Sequence, residues 1–126
     1  MTLHAYENMY CGRLRRGDIV LAEVQSAEER PFLILQDDVL NDGLPTVLAA
    51  PLYPLKKGEK SFVVEVVLED EDNGLGEPYI CPLYRVFPLD RRQVVAKKAE
   101  LRLEKLEEAL SALEVVIGRF RDKNNN

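Results

Sequence analysis

RPFLILQDDVLNDGLPTVLAAPLY, residues Arg30–Tyr53, holds two short apolar runs, Phe32–Leu35 and Val47–Ala50, on either side of a polar turn, Asp37–Pro45. Pro31 and Pro45 mark edges, so the stretch reads as strand, capped turn, strand. Arg30–Gln36 is the first of these strands. Its centre is apolar without alternation, which places it inside a sheet. Asp37, Asp38, Asn41, Asp42 and Gly43 are turn and cap residues. They predict a single helical turn around Val39–Leu44, with Leu40 and Leu44, at i and i+4, packing inward. Thr46–Leu52 is the next strand. It must end or bulge at Pro51, which has no N–H to donate.

Upstream, Gly17–Gln25 is a strand with Ile19 and Leu21 on one face and Val20, Ala22 and Val24 on the other. Both faces are apolar, so it belongs in a small barrel or between layers. Ser26–Glu29 is a short acidic connection. Residues 1–12 read as an irregular tail in which Tyr6, Met9 and Tyr10 pack down or meet a partner, and Arg13, Arg15 and Arg16 form a basic cluster before the strand.

Downstream, Lys56–Lys60 is a polar turn. Ser61–Leu68 alternates as a strand, with Phe62, Val64, Val66 and Leu68 on one face. Glu69–Asp72 is a charge run, read as a solvated turn or an acidic patch. Gly74, Gly76 and Pro78 mark a loop. Tyr79–Pro88 is an edge or kinked strand broken at Pro82, with Arg85 on the face of Tyr79, Cys81, Leu83 and Phe87. Val94–Phe120 is rich in helix formers, and Ala99, Leu103, Leu106, Leu110, Leu113, Ile117 and Phe120 step along a 3.5-residue seam. That helix is expected to dock on the chain's own sheet or on a twin subunit. The organisation is one domain over 1–126: a tail to residue 14, a barrel over 15–92, a helix over 93–120 and a disordered end over 121–126.

With 46% hydrophobic and 31% charged residues, the 126-residue chain supports a core and a soluble surface. No apolar run approaches the roughly 20 residues of a membrane span. The first residues lack a secretory pattern. Cys11 and Cys81 form no CxxC, so a reduced, cytoplasmic protein is the simplest reading, with a Cys11–Cys81 disulfide as the alternative. The net charge of −5 gives no bulk attraction to nucleic acid, and a phosphate would need a local basic cluster. His4 alone completes neither a metal site nor a catalytic triad, and there is no glycine-rich phosphate loop, so no metal or cofactor is expected. The arginines remain. Arg30, held by Pro31 and the sheet, can offer a bidentate fork to a phosphate, or else it pairs with Glu28 or Glu29. Arg85, among apolar neighbours, needs a partner or a groove.

RRGDIVLAEV at Arg15–Val24, RPFLILQDD-x-x-N at Arg30–Asn41, PTVLAAPL at Pro45–Leu52, Gly74-Leu75 and VFPLDRRQV at Val86–Val94 resemble, in the same order, the MazF/PemK (Kid) toxins of bacterial toxin–antitoxin pairs. The resemblance implies a mainly β fold: a small SH3-like (CcdB/PemK-toxin-like) barrel of about five to seven strands with a long C-terminal helix. It also implies a homodimer and a metal-independent endoribonuclease, in which a ribose 2′-OH of single-stranded RNA attacks the adjacent phosphate. An acidic antitoxin would cover the same groove. On this basis Arg30 is a catalytic residue. Tyr53 stands where the family usually has Thr or Ser, and Arg85 where it commonly has Gln, and both join the catalytic set. Arg13, Arg15 and Arg16, with Gln36 and Asn41, become contacts to RNA or antitoxin, and the basic residues should converge on one face. The alternatives are a toxin-fold protein that acts by binding alone (to an antitoxin, to nucleic acid, or to DNA gyrase as CcdB-type toxins do) and a structural dimer module.

Overall fold

The computed structural model describes residues 8–25, 28–57, 62–119 and 121. The readings made for His4, Tyr6, Ser26, Ala27, the end of the Lys56–Lys60 turn, Ser61, Phe120 and residues 122–126 lie outside these residues.

Among the described residues the strands form two antiparallel sheets. The larger contains β1 (Asp18–Gln25), β2 (Glu28–Ile34), β3 (Thr46–Pro51), β7 (Phe87–Asp90) and β8 (Val94–Glu100), in the order β7-β3-β2-β1-β8. The smaller contains β4 (Tyr53–Pro54), β5 (Glu65–Leu68) and β6 (Tyr79–Pro82), in the order β4-β6-β5. Two short helices, α1 (Asp38–Gly43) and α2 (Asp70–Asn73), sit in connections, and α3 (Leu103–Val116) closes the fold. The architecture is mainly β with one C-terminal helix, as the sequence implies.

Both faces of the central strands are covered. Ile19, Leu33 and Ala50 face the smaller sheet and α3, packing with Leu68, Cys81, Leu106 and Ala109. The alternate residues Val20, Phe32, Ile34 and Val47 pack with Leu14, Leu89 and Val94, under Tyr10, Val24 and Phe87. Phe32 and Phe87 meet edge to face with centroids 5.4 Å apart.

Several elements differ from the sequence reading, each for a local reason. In α1 and at its C-cap, Leu40 and Leu44 are 48% and 45% exposed, and Asn41 is the buried residue. Its amide donates to the Gln36 carbonyl at 2.9 Å and accepts from Gln36 Nε2 at 3.0 Å. Gln36 also donates to the Thr46 carbonyl and accepts from the Leu48 amide. The turn is held by amides rather than leucines. The fourth strand shrinks to β5, because residues 63–64 turn and leave Phe62 and Val63 exposed. In the charge run, Asp72 is buried rather than solvated, and Arg102 Nε reaches it at 2.9 Å.

Tyr79–Pro88 is not one edge strand. β6 is central in the smaller sheet, a 3-10 turn at Leu83–Arg85 follows, and β7 is the edge of the larger sheet. Arg85 therefore lies in a turn, not on a strand face. The helix begins at Leu103 instead of near Val94, because Val94–Glu100 pairs with β1 as β8. Leu101 N then donates to the Gly17 carbonyl at 2.8 Å, which ties the helix entry to the sheet. The seam shifts as well. Leu106, Ala109 and Ala112 are buried against the smaller sheet, while Leu103 and Ile117 are 68% and 63% exposed. Gly74, at φ +68°, ends α2 against β8, where a Cβ would come within 2.6 Å of the Lys98 carbonyl. Cys11 is exposed and Cys81 buried, both as free thiols, and burial pushes the Cys81 thiol up to about 12.

Asn73 is fully buried and binds the turn after β5. Its amide donates to the Leu68 and Glu77 carbonyls at 2.9 Å each, and its Oδ1 accepts from the Leu75 amide at 2.7 Å. Asn73→Ala strands three backbone groups and should lower unfolding free energy by roughly 2–4 kcal/mol, read as a lower urea midpoint. An unchanged midpoint would refute this role.

Candidate functional site

β2 is exposed at its start and buried at its end. Glu28, Arg30 and Phe32 share one face of it by the two-residue period. Beyond Pro51 the chain leaves the larger sheet, and Tyr53 opens β4 opposite Ile80. The turn after β6 delivers Arg85. The three residues meet. Arg85 Nη1 donates to Tyr53 Oη at 3.1 Å. The Cζ atoms of Arg85 and Arg30 stand 5.4 Å and 5.8 Å from the centroid of the Tyr53 ring. Two cations thus share one aromatic ring, a geometry that leaves guanidinium N–H groups available at the edges. No ion pair joins Arg30 to Glu28 or Glu29, and among the described residues no carboxylate forms a salt bridge with Arg30 or Arg85. The hydrogen bond to Tyr53 raises the Arg85 pKa above its ordinary value.

Tyr53 divides two hollows. A cavity of about 390 Å³ lies on the Arg30 side, with Phe32, Pro51 and Phe87 as apolar walls and Glu28, Gln93 and Tyr53 as polar lining. A smaller one of about 160 Å³ lies on the Arg85 side, against Glu65, Ile80, Pro82 and Tyr84. There Tyr84 Oη donates to Glu65 Oε2 at 3.0 Å, which raises the Tyr84 pKa.

The other basic candidates are elsewhere. Arg13 forks onto Asp42, with Nη2 at 2.8 Å and Nε at 3.2 Å. The backbone N–H groups of Arg15 and Arg16 are fixed by Asp18 and Asp38. Gly17 N binds the Ile34 carbonyl, so this cluster borders the far end of β2, next to α1. Gln36 and Asn41 lie there too and spend their amides on each other and on β3. Arg30 and Gln36 are six residues apart along an extended segment, roughly 20 Å. The expected convergence of all the basic residues on one face is therefore corrected: Arg30 and Arg85 converge, and Arg13, Arg15 and Arg16 do not join them.

Two further polar residues line the larger cavity: Gln93, which the sequence reading leaves unassigned, and Glu28, which it names only as the ion-pair alternative for Arg30. Glu28 could have been found from its i, i+2 relation to Arg30. Gln93 ends a 3-10 turn, Arg91–Gln93, in which Asp90 and Gln93 form a capping box. That D-x-x-Q spacing was a readable signal.

Comparison with known proteins places this geometry in context. Residues 15–117 match the model of a family described as PemK-like, MazF-like toxin of type II toxin–antitoxin system. A curated relative, the endoribonuclease MazF of Staphylococcus saprophyticus, is 28% identical over 111 residues, covering 83% of this chain and 92% of the relative. A solved MazE–MazF structure from Deinococcus radiodurans superposes with a TM-score of 0.70 at 22% identity, over 85% of this chain and 98% of that one. A mycobacterial endoribonuclease in complex with its cognate antitoxin gives 0.71 at 16% identity, over 83% and 95%.

The turn that carries Gln93 is held by Asp90, whose carboxylate accepts from Arg92 and lies below its ordinary pKa for that reason. A lowered folded pKa means stability present above the unfolded value, about 4, and lost as pH falls through the folded value. Asp90→Asn should therefore lower the urea midpoint at pH 7, with the gap closing on acidification below the usual carboxylate range. A gap independent of pH would refute the ionic part of this cap.

Proposed function

The chain belongs to the family of PemK-like, MazF-like toxins of type II toxin–antitoxin systems, and from that premise we propose that it is an endoribonuclease that cuts single-stranded RNA without a metal. The 2′-OH of one ribose loses its proton to solvent and attacks the adjacent phosphorus, the P–O5′ bond breaks as O5′ takes up a proton, and the products carry a 2′,3′-cyclic phosphate and a 5′-hydroxyl. The single observation that carries this reading is the convergence of Arg30 and Arg85 on Tyr53 at the mouth of a cavity.

Each group has a role in it. Arg30 offers its fork to the non-bridging phosphoryl oxygens, where negative charge grows in the transition state. Arg85 occupies a lone pair of Tyr53 Oη, which leaves the phenolic hydrogen to donate to a phosphoryl or leaving oxygen. Tyr53 then serves where the family's Thr or Ser would, with a longer reach. The protein works in the cytoplasm as a homodimer. An acidic, partly disordered antitoxin holds it inactive by covering the same two arginines.

A second reading, a toxin-fold protein that acts by binding alone, is favoured by the exchange of a small hydroxyl residue for Tyr53. Both are tested by incubating the purified protein with mixed-sequence RNA in EDTA. Cleavage leaving cyclic phosphate ends is expected. Arg30→Ala should lower the rate by about 10²–10³-fold, and Tyr53→Phe by on the order of ten- to a hundredfold. No cleavage, with growth arrest still seen on expression, would move the assignment to the binding reading.

A further inference from the structure

The cavity beside Arg30 contains more than a phosphate needs. One part of its wall is apolar, with Phe32 and Phe87 edge to face and Pro51 beside them, and its volume of about 390 Å³ suits a small planar group. Two polar side chains on its lining, Glu28 and Gln93, have no part in the phosphoryl chemistry described above. We propose that this cavity is a nucleobase subsite that selects guanine next to the cleaved phosphate. The inference deepens the endoribonuclease reading and rests on it.

The selection follows from which hydrogen-bonding groups remain open. An ionised Glu28 is acceptor-only, with two oxygens side by side. Gln93 has its Oε1 occupied by the Asp90 amide at 3.1 Å, so its NH₂ is the free end. The cavity therefore presents two adjacent acceptors and a separate donor. Guanine has the matching edge: N1–H and N2–H as neighbouring donors, then O6 as an acceptor. Adenine and cytosine each pair one donor with a neighbouring acceptor, and uracil flanks its one donor with two acceptors. Each of those would leave a carboxylate oxygen facing a lone pair. Single-stranded RNA leaves this edge unpaired and readable, and the half-buried Phe87 offers the flat base an aromatic contact. Glu28 and Arg30 are two residues apart on one strand face, about 7 Å. Phosphate on Arg30 and base at Glu28 are thus separate contacts of one nucleotide, and the carboxylate is kept off the phosphate.

The test uses the full chain and four uncleavable 2′-fluoro pentanucleotides, uridine throughout except for G, A, C or U at the centre, with affinities read by fluorescence anisotropy. The guanine ligand should bind on the order of ten- to a hundredfold more tightly than the others. Glu28→Gln replaces two acceptors by an acceptor and a donor, and with the Gln93 donor unchanged it should move the preference from guanine to cytosine, whose N4–H, N3 and O2 are a donor and two acceptors. Gln93→Glu keeps the acceptor facing Asp90 but removes the donor, and should weaken the guanine ligand most. Equal binding of all four, or a guanine preference that survives Glu28→Gln, overturns the subsite. A Glu28→Gln variant that only slows cleavage of every sequence equally also overturns it, by making Glu28 a proton acceptor instead. The two readings fail separately. Arg30-dependent cleavage without base preference removes the subsite alone, and guanine-selective binding without cleavage removes the nuclease alone.

Discussion

Burial of both faces of β1, β2 and β3 is the constraint on which the rest of this structure depends. Successive side chains of a strand point to opposite sides, so Ile19 and Val20, or Leu33 and Ile34, cannot share one core. Two apolar layers must be built around one sheet. The smaller sheet and α3 cover one side. Leu14, Leu89 and Val94, with Tyr10 outside them, cover the other. A register slip of one residue would exchange the two layers wholesale, so the register of β2 is fixed, and with it the direction in which Arg30 points. The exposed start of β2 is held by a buried end that cannot move.

The candidate site is made where the chain changes sheets. It leaves the larger sheet after Pro51 and returns to it after Pro82, and neither proline can donate to a ladder. The first crossing places Tyr53 and the second Arg85. Because both crossings join the same two sheets, the residues just beyond them fall side by side, although they are 32 positions apart. Leu52 N still bonds to the Pro31 carbonyl at 2.9 Å, so Tyr53 is fastened to the residue after Arg30. The two arginines and the tyrosine are thus positioned by backbone rather than by long side-chain networks, which favours preorganised electrostatics over rearrangement.

Much of this was legible in the sequence, for identifiable reasons. The apolar runs around Asp37–Pro45 define β2, α1 and β3, because turn chemistry and strand composition agree there. Arg30 and Tyr53 were readable from the ends of the same stretch. The prolines announced the breaks, but a proline says where a ladder stops and not which sheet the chain joins next. Val94–Glu100 reads as helix because Ala96, Lys97 and Lys98 favour it, while the open edge of β1 offers a ladder that outweighs that preference. Leu40 and Leu44 have helical spacing, yet the amides of Gln36 and Asn41 held the inner face of α1 first. Glu28 and Gln93 each carry a local signal, the i, i+2 relation to Arg30 and the D-x-x-Q box, but their meeting at one cavity is not legible, because the cavity is assembled from distant segments.

The pairing of Arg30 and Arg85 across one ring has a kinetic consequence. The whole chain carries a net charge of −5, so at low ionic strength, where the Debye length grows to about 30 Å, an approaching polyanion meets a repulsive field from the chain as a whole. Close to the site it meets Arg30 and Arg85, with no carboxylate salt-bridged to either among the described residues. Far-field repulsion and near-field attraction set the encounter rate and the lifetime of a complex independently. Added salt screens the first and so speeds arrival, and it weakens the second and so shortens residence. A surface built this way admits a polyanion slowly at low salt and holds it locally, in contrast to a basic surface that gathers any nucleic acid by charge alone.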